Sequence, residues 1–192
     1  MRLRDKVALV TGGSRGNGRA IALGLAREGA DVAISYAQAA TAADEVVAET
    51  RALGRRGVAV PADTGRRADV ERLVARVVEE LGRIDILFNN GGVLTRAPFL
   101  ETSEEAWDRV MDVNLKGYFL VGQAVARTMV ERRIAGSIVN VSSVYAQRGA
   151  AGVTPYVDRG GRGRRRDTGA GSAGGRRAGR HGPACGRRAT GG

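Results

Sequence analysis

One cysteine, Cys185, stands among 192 residues, which excludes a disulfide framework within the chain and fits a reducing compartment. Long hydrophobic runs are absent as well: none reaches the roughly 18 apolar residues that a membrane span needs. The basic opening, Met1–Val7, leads straight into a strand-like segment with no apolar signal core or small-residue cleavage site. The expected location is therefore the cytoplasm. No metal-ligating cluster is evident. Aromatic residues are scarce, and residues 158–192 contain no Phe, Tyr or Trp at all.

Positive charge, by contrast, is plentiful, with a formal net charge of +11. Such a value ordinarily suggests a nucleic-acid partner. Its distribution argues otherwise, because ten arginines and two aspartates place +8 of it in residues 158–192. Residues 1–157 hold 21 basic against 18 acidic side chains. The last 35 residues also hold twelve glycines and no Val, Ile, Leu or Met. They have no apolar side chains to offset ordering costs of roughly 1–2 kcal/mol per residue, so a disordered tail is expected. Nucleic-acid binding through this Arg/Gly tail ranks behind what the rest of the chain carries, because the tail has no Phe, Tyr or Trp for base stacking.

Residues 1–157 alternate short β-branched or apolar runs with helical patterns. That is the arrangement of a Rossmann-type α/β domain, a doubly wound parallel sheet. Strands are expected at Val7–Val10, Val32–Ile34, Val58–Val60, Ile84–Phe88 and Ile138–Val141. The clearest helix sets Val70, Leu73, Val74, Val77, Val78 and Leu81 along one face, with Asp69 or Thr64 as its cap and Gly82 as its end. A longer helix is expected from Ser103, its cap, through Trp107, Val110, Leu115 and Phe119 towards Val130. The pattern stops at Asp158, so the sheet is expected to be truncated after its fifth strand.

Directly after the first strand comes Thr11-Gly12-Gly13-Ser14-Arg15-Gly16-Asn17-Gly18, leading into a helical segment. A Gly-rich turn feeding a helix N-terminus aims backbone N–H groups and the positive end of a dipole at one point, a ready anion site. It also occurs as a turn with no ligand. In dinucleotide-binding folds an acidic residue ending the second strand holds the ribose 2′-OH of NAD. Here that strand ends Ser35-Tyr36-Ala37-Gln38, without a carboxylate, and Asp31 lies at its opposite end. A 2′-phosphate would meet no like charge, so NADP(H) is favoured over NAD(H).

Thr-Gly-x-x-x-Gly-x-Gly at residues 11–18, Asn89-Asn90-Gly91-Gly92 after the fourth strand, and Ser143 thirteen residues before Tyr156 occur in one order. Together they resemble the short-chain dehydrogenase/reductase family, of the 3-oxoacyl-carrier-protein reductase or sugar/alcohol dehydrogenase type. The resemblance implies that Gly12, Ser14, Arg15, Gly16, Asn17 and Gly18 hold the dinucleotide, with Arg15 at a basic position common in NADP-preferring members. It implies an adenine contact for Asp63, and a turn at Asn90 and Gly91 that lets the backbone run beside the cofactor. It makes Asn114 a catalytic residue holding a water of the proton relay. Reducing a ketone needs a hydride donor, a hydrogen-bond donor on the carbonyl oxygen and an acid for the developing alkoxide. Ser143 fits the second role and Tyr156 the third. The partner would be a small carbonyl or alcohol substrate, and family members are usually homo-oligomeric.

Two departures stand out. Asn17 replaces the usual Ile or Leu between the last two glycines, which alters contacts near the nicotinamide end. The family's Tyr-x-x-x-Lys reads Tyr156-Val157-Asp158-Arg159-Gly160, so the lysine that binds the nicotinamide ribose and supports the tyrosine is missing. Without it the chain's turnover is in question, and a non-catalytic NADP(H)-binding protein is the alternative. The helix carrying that lysine and the later strands are also unrecognisable. The fifth strand is then expected as an open edge, and the usual oligomer interface as compromised. Gly, Arg and Ala codons dominate GC-rich DNA read out of frame, and a shifted frame allows Asp167–Gly171 to read Thr-Arg-Ala-Leu-Ala. A frameshift is the expected origin of the tail.

Overall fold

The computed structural model describes residues 1–146 and 150–158, so the expected disordered tail beyond Asp158, with Arg159 and Gly160, and the segment 147–149 lie outside the described residues, while Asp158 itself is helical. Five strands, β1 (Val7–Val10), β2 (Asp31–Tyr36), β3 (Gly57–Pro61), β4 (Ile86–Asn89) and β5 (Ser137–Asn140), form one parallel sheet in the order β3-β2-β1-β4-β5. Between them run α1 (Gly16–Arg27), α2 (Ala40–Ala52), α3 (Arg67–Leu81), α4 (Glu104–Met111) and α5 (Gly117–Glu131), and α6 (Thr154–Asp158) follows β5.

The two-residue period of a strand explains the double winding. In β1, Ala8 and Val10 face Ala22, Leu23 and Ala26 of α1 and Ala43 and Val46 of α2. Val7 and Leu9 face the opposite layer, with Val70, Leu73 and Val77 of α3 and Leu120, Val121 and Val125 of α5. All four β1 residues are buried, as a strand covered on both faces requires. At the sheet's lower end the buried Asp85 fixes β1 to β4, accepting from the Val7 N–H at 3.0 Å and from the Arg83 guanidinium at 2.7 and 2.9 Å.

Some expected boundaries move. Ile84 and Asp85 precede β4 instead of opening it, and Val141 lies just beyond β5. The cap of α3 is Arg66, with no side-chain hydrogen bond, and neither Asp69 nor Thr64 serves. Asp69 lies inside the first turn, and its Oδ2 accepts from the Asp63 N–H at 2.9 Å. Gly82 ends α3 as expected, at a φ of 89° that favours glycine. Ser103 also caps as expected, its Oγ accepting from the Ala106 N–H at 3.2 Å.

The long helix is not uniform. A π-helical turn, Asp112–Lys116, joins α4 to α5 and contains Asn114 at its centre. Such turns insert a residue into a helix and are frequent at functional sites. Among the described residues β5 pairs with β4 alone, as the expected open edge requires, and all four of its residues are exposed there. Among the described residues no helix is long and apolar enough to cross a membrane.

Candidate active site

The sheet order reverses between β1 and β4: β2 and β3 extend to one side of β1, β4 and β5 to the other. Loops leaving the carboxyl ends of β1 and β4 therefore diverge in sequence yet lie side by side, and ligands of open α/β sheets bind in the crevice at such a switch point. Thr11 ties the two loops together. Its buried hydroxyl accepts from the N–H groups of Asn90 at 3.0 Å and Gly91 at 2.9 Å and donates to the Phe88 carbonyl at 3.4 Å. The Asn90 side chain completes the join, donating Nδ2–H to the carbonyls of Thr11 at 3.1 Å and Gly12 at 3.3 Å.

The third residue of α1 shows why the loop is Gly-rich. A Cβ on Gly18 would stand 2.1 Å from the Gly12 carbonyl oxygen and 2.6 Å from Asn90 Nδ2. The helix sits directly on the turn that precedes it. Gly16 serves differently: its φ of +55° turns the chain into α1, and it is not among the residues lining the adjoining cleft. The α1 N-terminus at Arg15 has no side-chain cap and no acidic residue in its first turn. Its leading N–H groups are thus left for an anion.

A cleft of about 440 Å³ opens there. It is lined by the expected Gly12, Ser14, Arg15, Asn17, Gly18, Asp63, Asn90 and Gly91, joined by Ser35, Tyr36 and Gln38 at the end of β2 and by Arg109 of α4. Asp31 is at the other end of β2, where it pairs with Arg55 at 2.9 Å and Arg56 at 2.7 Å. Burial would raise the Asp31 carboxyl. Hydrogen bonds from the Arg56 backbone and guanidinium, with the charges of Arg56 and Arg55, outweigh that and hold it below the usual carboxylate range.

A second cavity of about 460 Å³ adjoins the first, and Asn17, Asn90, Gly92 and Val93 line both. Ser143 and Tyr156 line the second together with Tyr118 and Tyr145. Ser143 Oγ accepts from the Tyr145 N–H at 3.2 Å, an arrangement that leaves the serine hydrogen to be donated. The Tyr145 ring meets Tyr156 edge to face, with centroids 6.0 Å apart and planes at 87°. Tyr118 donates its hydroxyl to the Val141 carbonyl at 3.2 Å. The described residues lining this cavity include no Asp, Glu, Lys, Arg or His.

Asn114 lines neither cavity. It is buried, with Oδ1 accepting from the Val93 N–H at 2.8 Å and Nδ2 donating to the Val93 carbonyl at 2.7 Å. Both side-chain ends are thus engaged by the residue that forms the shared wall. Gly16 likewise lines neither cavity; the structure brings the remaining expected residues to one continuous pair of cavities, adds Val93 and Arg109 to their lining, and gives Thr11 the joint between the loops, parts that the sequence pattern leaves unstated. Among the described residues no group of three or more His, Cys, Asp or Glu is placed to hold a metal ion.

Comparison with known proteins gives a concordant picture. Residues 6–157 match the sequence profile of the family described as short chain dehydrogenase. A 3-oxoacyl-(acyl-carrier-protein) reductase of Synechocystis sp. is 42% identical over 154 residues, 80% of this chain and 62% of that protein. L-rhamnose 1-dehydrogenase (NAD(P)(+)) of Sphingomonas sp. is 42% identical over 154 residues, 80% of this chain and 61% of that protein. A short chain dehydrogenase from Burkholderia cenocepacia, solved in complex with NADP, superposes with a TM-score of 0.77 at 40% identity, covering 83% of this chain and 64% of that one. The chain therefore spans less than two thirds of the length of these relatives.

Proposed function

The chain belongs to the short-chain dehydrogenase family, and we propose that it binds NADP(H) at the switch point and interconverts a small ketone and a secondary alcohol. The observation that carries this reading is the shared wall. A dinucleotide held in the first cleft would present its reactive end where Asn17, Asn90, Gly92 and Val93 meet the cavity of Ser143 and Tyr156.

The residues present fit the cofactor. The uncapped α1 N-terminus and the flanking Ser14 and Asn17 make a cradle for pyrophosphate, and Gly18 lets the helix sit close on the turn that shapes it. Arg15, with no carboxylate at the end of β2, supports a 2′-phosphate and hence NADP(H) over NAD(H). The NADP complex of the Burkholderia relative supports the same choice, and the NAD(P)(+) designation of the Sphingomonas enzyme is compatible with it. Asp63 would meet the adenine, and Asn90 and Gly91 would flank the bound chain of the cofactor.

When bound, the nicotinamide supplies or accepts the hydride. The protein's part is orientation and proton transfer. Ser143, polarised by accepting from Tyr145, donates its hydrogen to the carbonyl oxygen. Tyr156 gives its hydroxyl proton to the developing alkoxide, and in the reverse direction takes it back. Asn114 has both side-chain ends on Val93, so its side chain acts by fixing that wall. Gly160 stands where the family lysine would assist Tyr156. Losing such support costs roughly 10²–10⁴ in rate, so turnover is expected to be slow.

The test is NADPH binding by fluorescence quenching, followed by NADPH consumption with a panel of ketones for the parent, Tyr156→Phe and Gly160→Lys. Saturable binding, slow turnover lost in Tyr156→Phe, and faster turnover in Gly160→Lys are the expected results. Absence of binding refutes the proposal. The Gly160 at the family's lysine position favours one second reading, a non-catalytic NADP(H)-binding protein. Binding without turnover in parent and Gly160→Lys alike would assign it. Sequencing the coding DNA around codon 157 tests the frameshift: an intact alternative frame supports it, and dense stop codons refute it.

A further inference from the structure

Arg109 has no part in the reading above, yet from α4 it lines the same cleft as the residues at the α1 N-terminus. Its Nη1 donates to Asp63 Oδ2 at 2.6 Å, across 46 residues of sequence. We infer that Arg109 is a positioning residue: it holds Asp63 so that the pair selects a dinucleotide whose purine carries a 6-amino group. The inference rests on the proposed dinucleotide site and deepens it.

Asp63 lies in the loop between β3 and α3 and is held from four directions. Its Oδ1 accepts from the Gly65 N–H at 3.0 Å, and its Oδ2 accepts from Arg109. Its own N–H donates to Asp69 Oδ2 at 2.9 Å, and its carbonyl accepts from the Arg66 N–H at 3.0 Å. Asp69 is well suited to that role. The hydrogen bond from the Asp63 N–H, partly opposed by burial and helped by Arg72, holds its carboxyl below the usual range. The backbone of Asp63 is thus fixed without Arg109, but the rotation of its carboxylate is not. Terminal torsions of this kind are broad, and the Gly65 contact restrains only one oxygen.

With Arg109 in place the carboxylate plane is fixed at both oxygens, and each retains a lone pair for a ligand. A carboxylate only accepts hydrogen bonds, so it favours an exocyclic amino group and repels a carbonyl oxygen. The Asp63 side chain is 24% exposed and Arg109 45%, so the pair is shielded on its protein side and open towards the cleft. Arg109 also cancels a negative charge that would otherwise face a polyanionic ligand. That effect is blind to the base, whereas positioning is not.

The experiment measures dissociation constants by fluorescence quenching for NADPH and for its hypoxanthine analogue, in which the 6-amino group is replaced by oxygen. The proteins are the full-length parent, Asp63→Ala, Arg109→Ala and Arg109→Lys. The parent is expected to prefer NADPH roughly tenfold or more, as befits a hydrogen bond to a charged acceptor. Asp63→Ala brings the ratio near one. Arg109→Ala does the same, through weaker NADPH binding with the analogue little changed. Arg109→Lys recovers part of the ratio, because it restores a charge but not the planar fork.

A preserved ratio in Arg109→Ala overturns the inference, and so does equal weakening of both ligands, which would assign Arg109 to charge or stacking alone. A parent that binds both ligands equally also overturns it, by removing the Asp63 contact. A parent that binds neither refutes the dinucleotide site instead. Circular dichroism checks each variant's fold, and Arg109→Gln, of similar reach and no charge, replaces Arg109→Ala if the latter does not fold, read by the same criteria.

Discussion

Two glycine-to-alanine substitutions on one helix are expected to move stability in opposite directions. At Gly18 the new methyl would begin 2.1 Å from the Gly12 carbonyl oxygen and 2.6 Å from Asn90 Nδ2. Carbon–oxygen contacts settle near 3.3 Å or beyond, so the start of α1 must retreat by about 1 Å. Overpacking of that kind costs roughly 1–3 kcal/mol. The retreat also breaks one or both hydrogen bonds from Asn90 Nδ2 to the loop, at about 1 kcal/mol each. Alanine's better helix propensity returns about 1 kcal/mol. The net loss is about 1–4 kcal/mol. At Gly24, in the middle of the same helix, a Cβ meets nothing within 4 Å, so only the propensity gain of up to about 1 kcal/mol remains. Thermal unfolding followed by circular dichroism separates the two, since 1 kcal/mol moves the midpoint by roughly 2–4 °C in a chain of this size. Gly18→Ala should melt several degrees below the parent and lose NADPH affinity, and Gly24→Ala should melt at or above it. Equal midpoints, with NADPH affinity intact at both positions, would refute the account of why the third residue of α1 is a glycine.

Asn114→Ala leaves the N–H and carbonyl of Val93 without their partners and should cost about 2–4 kcal/mol in urea unfolding. Asn114→Asp should not rescue it, because a carboxylate offers nothing to the Val93 carbonyl, and a loss under about 0.5 kcal/mol would show the pairing to be incidental. Asp31, held below the usual carboxylate range, contributes stability that is present above its unfolded pKa of about 4 and is lost as pH falls through the lower folded value. Asp31→Asn should therefore be less stable than the parent at pH 7 and show a shallower decline as pH falls below about 4; parallel profiles would count against the pairing. On the β5 edge, where Ile138 is 41% and Val139 39% exposed, Val139→Lys should reduce concentration-dependent self-association in sedimentation velocity. Unchanged association would acquit that edge.

The fold was legible wherever apolar spacing alone decides structure. β1 and the stripe of α3 are examples, because burial on both faces or on one stripe leaves a plain mark in residue order. It was less legible where polar groups choose between neighbours. Asp69 has the chemistry of a helix cap, yet its carboxylate is taken by the Asp63 N–H, and α3 begins at Arg66 without one. Ile84 is wholly buried but contributes no strand pairing, so hydrophobicity placed the start of β4 two residues early. The motifs pointed to Gly18, Asn90, Ser143 and Tyr156 as neighbours of two adjoining cavities. They did not foretell the π-helical turn around Asn114 or its commitment to Val93, which depend on a loop folding back from β4. Arg109 carried no signal at all, since an arginine on an amphipathic helix looks the same whether it faces solvent or a carboxylate across a cleft.

The hydroxyl of Thr11 accepts twice and donates once, and so has no capacity left for a ligand. Its consequence is one of timing. Two loops separated by some 80 residues of chain are joined before any cofactor arrives, and an arriving dinucleotide has no ordering entropy to supply at this end of the site. The amide protons of Asn90 and Gly91 should then exchange with deuterium on the timescale of global unfolding, and adding NADPH should slow them only as far as it stabilises the whole domain.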